Sequence, residues 1–167
     1  MKKKNYINLA KKAAGIQIIE LKKVRKVFDK SFVKAVDLIL NCKGKVICAG
    51  IVKSGIIGKN ISATFSSVGI PSFFCDPAQA LHGDMGQIEK RDILIIFSYS
   101  GNTSELNNML KYANRFRIKV IGVASKPDSV LLKASDIKLV LPKVKESDVT
   151  GIVPTSSTTI TLLLGDC

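Results

Sequence analysis

Residues 92–105 read DILIIFSYSGNTSE, and this stretch decides the fold class. The segment Asp92–Phe97 is an apolar run behind a single acid, typical of a strand that is buried on both faces of a sheet. A polar turn over Ser98–Thr103 follows directly, and the residues Ser104–Phe116 are predicted to form a helix. A buried strand that leads through a polar turn into a helix is the repeating unit of an open α/β protein.

The same unit recurs on both sides of this stretch. Further strands are predicted over Val46–Ala49, Ser72–Cys75, Ile118–Ala124 and Ile137–Leu141, and helices from about Ile56 to Ser67, over Ser129–Ala134 and from Thr155 to Leu164. This alternation predicts a three-layer α/β domain over residues 44–167, with a parallel sheet between two layers of helices. The last predicted helix is still apolar at Cys167, so we expect the natural protein to continue beyond this residue.

Positive charge is concentrated at the start of the chain. The 167 residues hold 26 Lys+Arg and 13 Asp+Glu, a net charge of +13, and residues 1–45 alone carry 13 of the bases and 3 of the acids. Apolar residues recur at three- and four-residue steps from Ile16 to Leu40, which predicts an N-terminal helical segment over residues 1–43 with lysines on its wet face. Because no RNA-recognition motif, zinc-finger spacing or basic and aromatic interleaving accompanies this charge, no nucleic-acid partner is predicted.

The sequence also predicts the cellular compartment of the protein. No apolar run reaches the roughly 18–20 residues that a membrane span needs, and the basic N-terminus lacks the apolar core of a secretory signal. The four cysteines show no metal-ligand spacing, and Cys48 and Cys75 lie in apolar strand-like runs, where a free thiol is usually a small core residue. These features predict a cytoplasmic protein with no membrane partner.

Ligands of open parallel sheets bind beyond the carboxyl ends of the strands, and a first polar loop, Gly50–Gly58, lies at such an end. It is neither a Walker loop nor a dinucleotide fingerprint, because no glycine precedes Lys53 and Val52 occupies the second glycine position. What remains is a strand-to-helix turn with Lys53 and Ser54 at its tip. Such a turn predicts either an anion at the helix start or a plain turn with a solvated lysine.

Two further loops are rich in hydroxyl groups. The candidate residues are Ser98, Ser100, Gly101 and Thr103 in the second loop and Thr155, Ser156 and Ser157 in the third. Hydroxyl and backbone N–H groups can hold one small phosphate, and glycine lets the backbone approach it closely. The alternative for the second loop is helix capping, and the two roles are compatible. The third loop is part of a run of five consecutive hydroxyl residues, Thr155–Thr159, which exceeds what a cap needs and can bind the hydroxyls or the phosphate of a sugar.

Two titratable residues complete the set. His82, the one histidine of the chain, lies in the loop Leu81–Asp84 and is either a structural residue or a ligand contact. Glu146 follows the last predicted strand and is either a solvated acid or a candidate general base.

Taken together, four segments resemble the sugar isomerase (SIS) domain of the arabinose-5-phosphate isomerase family. They are GIVKSGIIGKNISATFSSVGIPSFF, DPAQALHGDMG, SYSGNTSEL and GIVPTSSTTITLLLGD, which fall between about Gly44 and Asp166. The hydroxyl-rich second loop marks SIS domains in general, whereas the His-Gly-Asp element and the Pro-Thr-Ser-Ser-Thr-Thr run are typical of this family.

The resemblance implies a flavodoxin-like, five-stranded parallel sheet and an oligomer, usually a tetramer, with sites at subunit interfaces. It implies interconversion of ribulose 5-phosphate and arabinose 5-phosphate, the first step toward the Kdo sugar of Gram-negative lipopolysaccharide. Such an isomerisation moves a proton between neighbouring carbons through an enediol, and this chemistry requires no metal or organic cofactor. It assigns functional roles to Lys53, Glu105 and Glu146. It also makes His82 a substrate contact that can take up an inhibitory zinc ion.

The sequence departs from the family pattern at two points. Val52 stands where the family usually has glycine, which narrows the approach to the first loop. The family's last catalytic histidine and its tandem CBS pair would lie beyond Cys167, so we expect the chain as given to bind substrate and turn it over poorly or not at all. The alternative function is a non-catalytic sugar-phosphate-binding module or regulator.

Overall fold

Five short apolar runs form one parallel sheet in the computed structural model, which describes residues 5–167. The strands are β1 (Val46–Gly50), β2 (Ser72–Cys75), β3 (Ile93–Phe97), β4 (Lys119–Ala124) and β5 (Ile137–Val140). Their order is β2-β1-β3-β4-β5, and every pair of neighbours is parallel. The predicted flavodoxin-like, five-stranded sheet is confirmed.

Helices connect the strands and cover both faces of the sheet. They are α1 (Tyr6–Leu21), α2 (Lys30–Leu40), α3 (Lys53–Ser67), α4 (Leu106–Phe116), α5 (Val130–Ala134) and α6 (Ser156–Asp166), with 3-10 turns at Lys22–Val27, Ala80–His82 and Asp84–Gln87. Helix α3 begins at Lys53, three residues before its predicted start, because the turn after β1 consists of only Ile51 and Val52. The first loop of the sequence is therefore largely helical.

The core is divided between the two faces of the sheet. Because side chains alternate across a strand, Ile95 and Phe97 of β3 pack with residues of α2, α3 and α6 on one face, whereas Leu94 and Ile96 pack with α4 and α5 on the other. Buried Asp92 fixes the start of β3, since its carboxylate accepts hydrogen bonds from the backbone N–H groups of Lys45 (2.7 Å) and Glu89 (2.8 Å). Asp92, the acid that precedes the apolar run, thus marks the start of β3.

The N-terminal segment packs on the α/β domain with only part of its apolar stripe. Helix α1 contacts α6, and α2 contacts β5, but several members of the predicted stripe are more than half exposed: Ile18, Ile19, Val33 and Leu40. The apolar face predicted for this segment is therefore only partly buried against the domain. The 3-10 turn at Lys22–Val27 has three residues per turn, and a new helix begins after Asp29, so the apolar positions do not stay on one face.

The thiols behave as predicted for core residues. All four cysteines are unpaired, and Cys48 and Cys75 are buried. Burial raises the pKa of the Cys48 thiol to about 12 and that of Cys75 to about 11, so both are protonated and unreactive near neutral pH.

Within residues 5–167, no helix has both the length and the apolar character that a membrane crossing requires.

Candidate functional site

A cleft of about 650 Å³ opens at the carboxyl ends of β1 and β3. Strand order reverses between these two strands, and open α/β sheets bind their ligands at such a point. The cleft is lined by Ile51, Val52, Lys53, Ser54, Ile57, Ser98, Tyr99, Ser100, Thr103, Val144, Glu146, Gly151, Ile152, Pro154, Ser157, Thr158 and Thr161. Three separate loops of the sequence therefore meet here, as the positions of the predicted strand ends required.

The turn after β1 forms one wall and is conformationally strained. Val52 has φ 50° and ψ −116°, the values of the first central position of a type II′ turn, which favours glycine. Its side chain is 78% exposed, so no packing within the chain offsets this geometry. Lys53 follows immediately, and its Nζ donates a hydrogen bond across the cleft to the carbonyl of Pro154 (2.9 Å).

The second loop is folded around the hydroxyl of Ser98. Ser98 Oγ lies 2.9 Å from Thr103 Oγ1 and accepts a hydrogen bond from the N–H of Gly101 (3.1 Å). Gly101 has φ +68°, and a Cβ there would collide with the side chain of Ser129, so only glycine fits. The fold of this loop places the hydroxyls of Ser98, Ser100 and Thr103 on the cleft.

Glu146 links the cleft to the start of α6. Its Oε2 accepts hydrogen bonds from the N–H (2.7 Å) and the hydroxyl (2.9 Å) of Thr155 and from the N–H of Ser157 (3.3 Å). Burial raises the pKa of this carboxyl, but the hydrogen bonds from Ser157 and Thr155 outweigh burial, and the pKa lies below its ordinary value. Glu146 is therefore ionised near neutral pH, where it serves both as a helix cap and as a charged group of the cleft.

Asp148 shapes the remaining wall. Its Oδ2 accepts hydrogen bonds from the N–H groups of Ile152 (3.1 Å) and Val153 (3.2 Å) and from the hydroxyl of Thr150. These bonds, that from Thr150 first, hold the pKa of the Asp148 carboxyl below its usual range. The carboxylate thus organises the loop that carries Gly151 and Ile152 to the cleft.

Seven of the predicted site residues line the cleft together: Lys53, Ser54, Ser98, Ser100, Thr103, Glu146 and Ser157. Gly101 and Thr155 do not line the cleft themselves. Gly101 is needed for the fold of its loop, and Thr155 donates a hydrogen bond to Glu146. Ser156 is fully buried, and its Oγ has no hydrogen-bond partner among the residues that the structure describes.

The other two predicted residues lie outside the lining. Glu105 is exposed just before α4, where its own backbone N–H and the hydroxyl of Ser104 (2.8 Å) lower its pKa. His82 is exposed at the end of a 3-10 turn. No cluster of three potential metal ligands occurs within residues 5–167. The functional roles of Glu105 and His82 stay predictions.

Tyr99 and Thr161 line the cleft but were not among the predicted site residues, and Thr158 was predicted only as a member of the hydroxyl run 155–159. Helical spacing would have selected Thr161, because it lies four residues after Ser157 and three after Thr158 on the same face of α6. Tyr99 carries no such signal, since its contacts join segments more than forty residues apart.

This fold and this cleft define a class: a doubly wound, parallel α/β protein with a hydroxyl-lined cleft at its strand-order reversal. The profile of the SIS domain matches residues 39–167. The chain belongs to the SIS-domain family, which confirms the resemblance found in its loops.

Individual relatives show which members of this family the chain resembles. The chain is 40% identical over 162 residues to arabinose 5-phosphate isomerase KdsD of Pseudomonas aeruginosa, a match that covers 97% of this chain and 50% of the relative. It thus spans about half the length of the curated relatives it matches. Among solved structures, a protein of Escherichia coli CFT073 in complex with arabinose 5-phosphate aligns with a TM-score of 0.89 and 33% identity, over 99% of this chain and 88% of the other. A Listeria monocytogenes protein, provisionally described as a sugar-phosphate isomerase, aligns with a TM-score of 0.94 and 31% identity, over 99% and 87% of the two chains.

Proposed function

We propose that the protein is an arabinose-5-phosphate isomerase, which interconverts ribulose 5-phosphate and arabinose 5-phosphate through an enediol. One observation carries the proposal: a single cleft combines hydroxyl groups from two loops, the ammonium group of Lys53 and the ionised carboxylate of Glu146. Relatives about 40% identical bear this enzyme's name, and a similar solved structure is a complex with arabinose 5-phosphate.

The hydroxyl groups are suited to the phosphate. Ser98, Ser100 and Thr103 offer three hydroxyls from one loop, and the start of α6 faces them with Ser157 and Thr158. Unsatisfied N–H groups at a helix start attract anions, but Glu146 already occupies part of this helix start. The phosphate therefore belongs at the Ser98–Thr103 loop, with the hydroxyls of α6 as secondary donors.

Lys53 and Glu146 are suited to the reacting carbons. Isomerisation moves a proton between neighbouring carbons and develops negative charge on the sugar oxygens. The Lys53 ammonium group can stabilise this charge after it leaves the carbonyl of Pro154. Glu146 is ionised and can accept the proton, and Glu105 is the alternative base. This scheme needs no metal or organic cofactor, and we assign His82 to the substrate and to an inhibitory zinc ion.

The same proposal sets the protein's context. We infer a homotetramer in the cytoplasm with the sites at its subunit interfaces, which would bring the exposed His82 and Glu105 near a cleft. The product would supply the Kdo branch of lipopolysaccharide synthesis.

A sugar-phosphate-binding module or regulator is the second candidate. The specific observation in its favour is that three hydrogen bonds engage the Glu146 carboxylate and lower its pKa, which weakens it as a base. In this case the cleft would hold the same ligand without converting it.

The test incubates the full-length protein with ribulose 5-phosphate and follows arabinose 5-phosphate by NMR. We expect conversion, and we expect Glu146→Gln to lower kcat by about a hundredfold or more, with sugar-phosphate affinity changed less than about threefold. Glu105→Gln is the matched variant, because it removes the other candidate base from outside the cleft lining. Binding without conversion by the native protein selects the module, and a full kcat in Glu146→Gln excludes Glu146 as the base.

A further inference from the structure

Tyr99 joins the second loop to the segment that carries Glu146. Its Oη donates a hydrogen bond to the carbonyl of Pro142 (3.1 Å) and accepts one from the N–H of Val144 (2.9 Å). We propose that Tyr99 is a positioning residue: its phenol group fixes the segment 142–146 and so sets where the Glu146 carboxylate stands in the cleft. This inference rests on the proposed function for its kinetic consequence, but not for the contact itself.

The tyrosine is anchored at its backbone as well as at its ring. Its carbonyl accepts hydrogen bonds from both the N–H and the hydroxyl of Ser125 (2.8 Å each). Ser125 directly follows β4, and the neighbouring Ser98 N–H bonds to the carbonyl of Val123 (3.0 Å) within that strand. The phenol therefore extends from a backbone position that is fixed to the sheet. Its hydrogen bonds can hold the segment 142–146 in place rather than follow the motion of that segment.

The segment that Tyr99 holds has no regular structure of its own. The backbone N–H of Leu141 still bonds to the carbonyl of Ala124 in β4 (2.8 Å), but residues 142–147 lie outside helix and strand, and side chains hold their backbone. Tyr99 binds it at Pro142 and Val144, Glu20 of α1 accepts from the N–H of Lys145 (3.1 Å), and Thr155 accepts from the N–H of Ser147 (2.8 Å). Glu146 lies among these contacts, and the two bonds to Tyr99 fix the side of the segment toward β5.

The protonation state of the phenol suits this role. Burial raises the pKa of Tyr99, the hydrogen bond from Val144 opposes this, and the negative charge of Glu146 raises the pKa further. The phenol therefore keeps its proton near neutral pH and can donate to Pro142.

The test compares Tyr99→Phe with Tyr112→Phe in the full chain. Tyr99→Phe removes only the hydroxyl and both of its bonds. Tyr112 supplies the matched control, because its ring packs on Phe116 (4.5 Å between centroids) on the opposite face of the sheet. Urea unfolding first establishes that each variant is folded under the assay conditions.

Three measurements test the proposal, and two of them do not require catalytic activity. We expect hydrogen exchange of the Val144 amide to accelerate about tenfold or more in Tyr99→Phe, as the loss of two neutral hydrogen bonds implies. In a carbon-13 titration of the carboxyl groups, the pKa of Glu146 should rise toward its ordinary value as its cap loosens. For the isomerase, kcat should fall about tenfold with KM changed less than about threefold, because the carboxylate is displaced while the phosphate loop stays intact.

The proposal is overturned if Tyr99→Phe leaves the Val144 exchange rate and the Glu146 titration unchanged, or if Tyr112→Phe alters them equally. It is also overturned if an active enzyme loses affinity rather than kcat in Tyr99→Phe. A native protein that binds arabinose 5-phosphate without converting it would instead contradict the proposed isomerase activity. The exchange and titration measurements would then still decide whether Tyr99 positions Glu146.

Discussion

Val52 adopts a backbone conformation that its own side chain disfavours. A β-branched side chain at φ 50° is a conformational outlier, and such geometry costs on the order of 1–3 kcal/mol. The residue sits at the cleft, with an exposed side chain beside Lys53. Strain of this kind persists where the surrounding structure imposes it. Here the chain turns so tightly that a Cβ at Gly50 would lie 2.8 Å from the carbonyl of Ser54.

We expect Val52→Gly to raise the free energy of unfolding by about 1 kcal/mol, because relief of strain exceeds the added flexibility of the unfolded chain. Urea denaturation of the native protein and the variant measures this difference. Val52→Ala is the control, since it keeps a Cβ at the strained position and should stay closer to the native value. A glycine variant less stable than the alanine variant would show that the turn is not strained.

At the scale of the element, helix α6 depends on a carboxylate from outside it. Its first residues follow Pro154, and Glu146 accepts hydrogen bonds from the N–H groups of Thr155 and Ser157 that would otherwise lack partners. A charged acceptor at a helix start also interacts favourably with the helix dipole. The cap therefore couples the stability of α6 to the ionisation of a group in the cleft.

The sign of this coupling follows from the lowered pKa of Glu146. A group whose pKa is lower in the folded protein stabilises the fold at pH above its unfolded value, near 4.5, and loses this contribution as the pH falls through its folded value. We expect Glu146→Gln to unfold with a shallower pH dependence below about pH 4.5 than the native protein. Urea midpoints measured across this range test it, and parallel curves for the two proteins would contradict it. Thr155→Val, which removes one of the donors to Glu146, should fall between them.

At the scale of the whole molecule, the helical layer formed by α2, α3 and α6 does not fill the space above the sheet. A partly open pocket of about 170 Å³ is lined almost entirely by apolar side chains, including Ala35 of α2, Phe65 of α3 and Leu139 of β5. Voids of this size forfeit contacts that a larger side chain would make. Helix α2 meets this space with a small buried residue, Ala35.

We expect Ala35→Leu to raise the free energy of unfolding by about 1 kcal/mol, because the added methylene groups enter existing space. Thermal and urea denaturation measure the gain. Ala63→Leu is the matched control, since Ala63 lies exposed on α3, where the same change should alter stability by less than about 0.5 kcal/mol. A loss of stability in Ala35→Leu would show that the helix layer is packed too rigidly to accept it.

The fold could be predicted from the sequence because the patterns that indicate it are local. The run 93–97 is a buried strand, the turn after it carries the hydroxyls, and the alternation of strands and helices fixes a parallel sheet with its loops at one edge. Seven predicted site residues meet in the cleft for this reason alone. Strand periodicity and turn chemistry depend on neighbours in the chain, so the sequence by itself determined the fold class and the location of the site.

Tertiary structure decided what the individual side chains do there. Whether Glu146 is a solvated acid or a helix cap depends on residues nine to eleven positions away, and Tyr99 finds its partners forty-three and forty-five positions away. The strain at Val52 likewise arises from a turn geometry that its own side chain disfavours. Hydrogen bonds and burial of this kind depend on distances in space between segments remote in sequence, and for that reason only the folded chain reveals them.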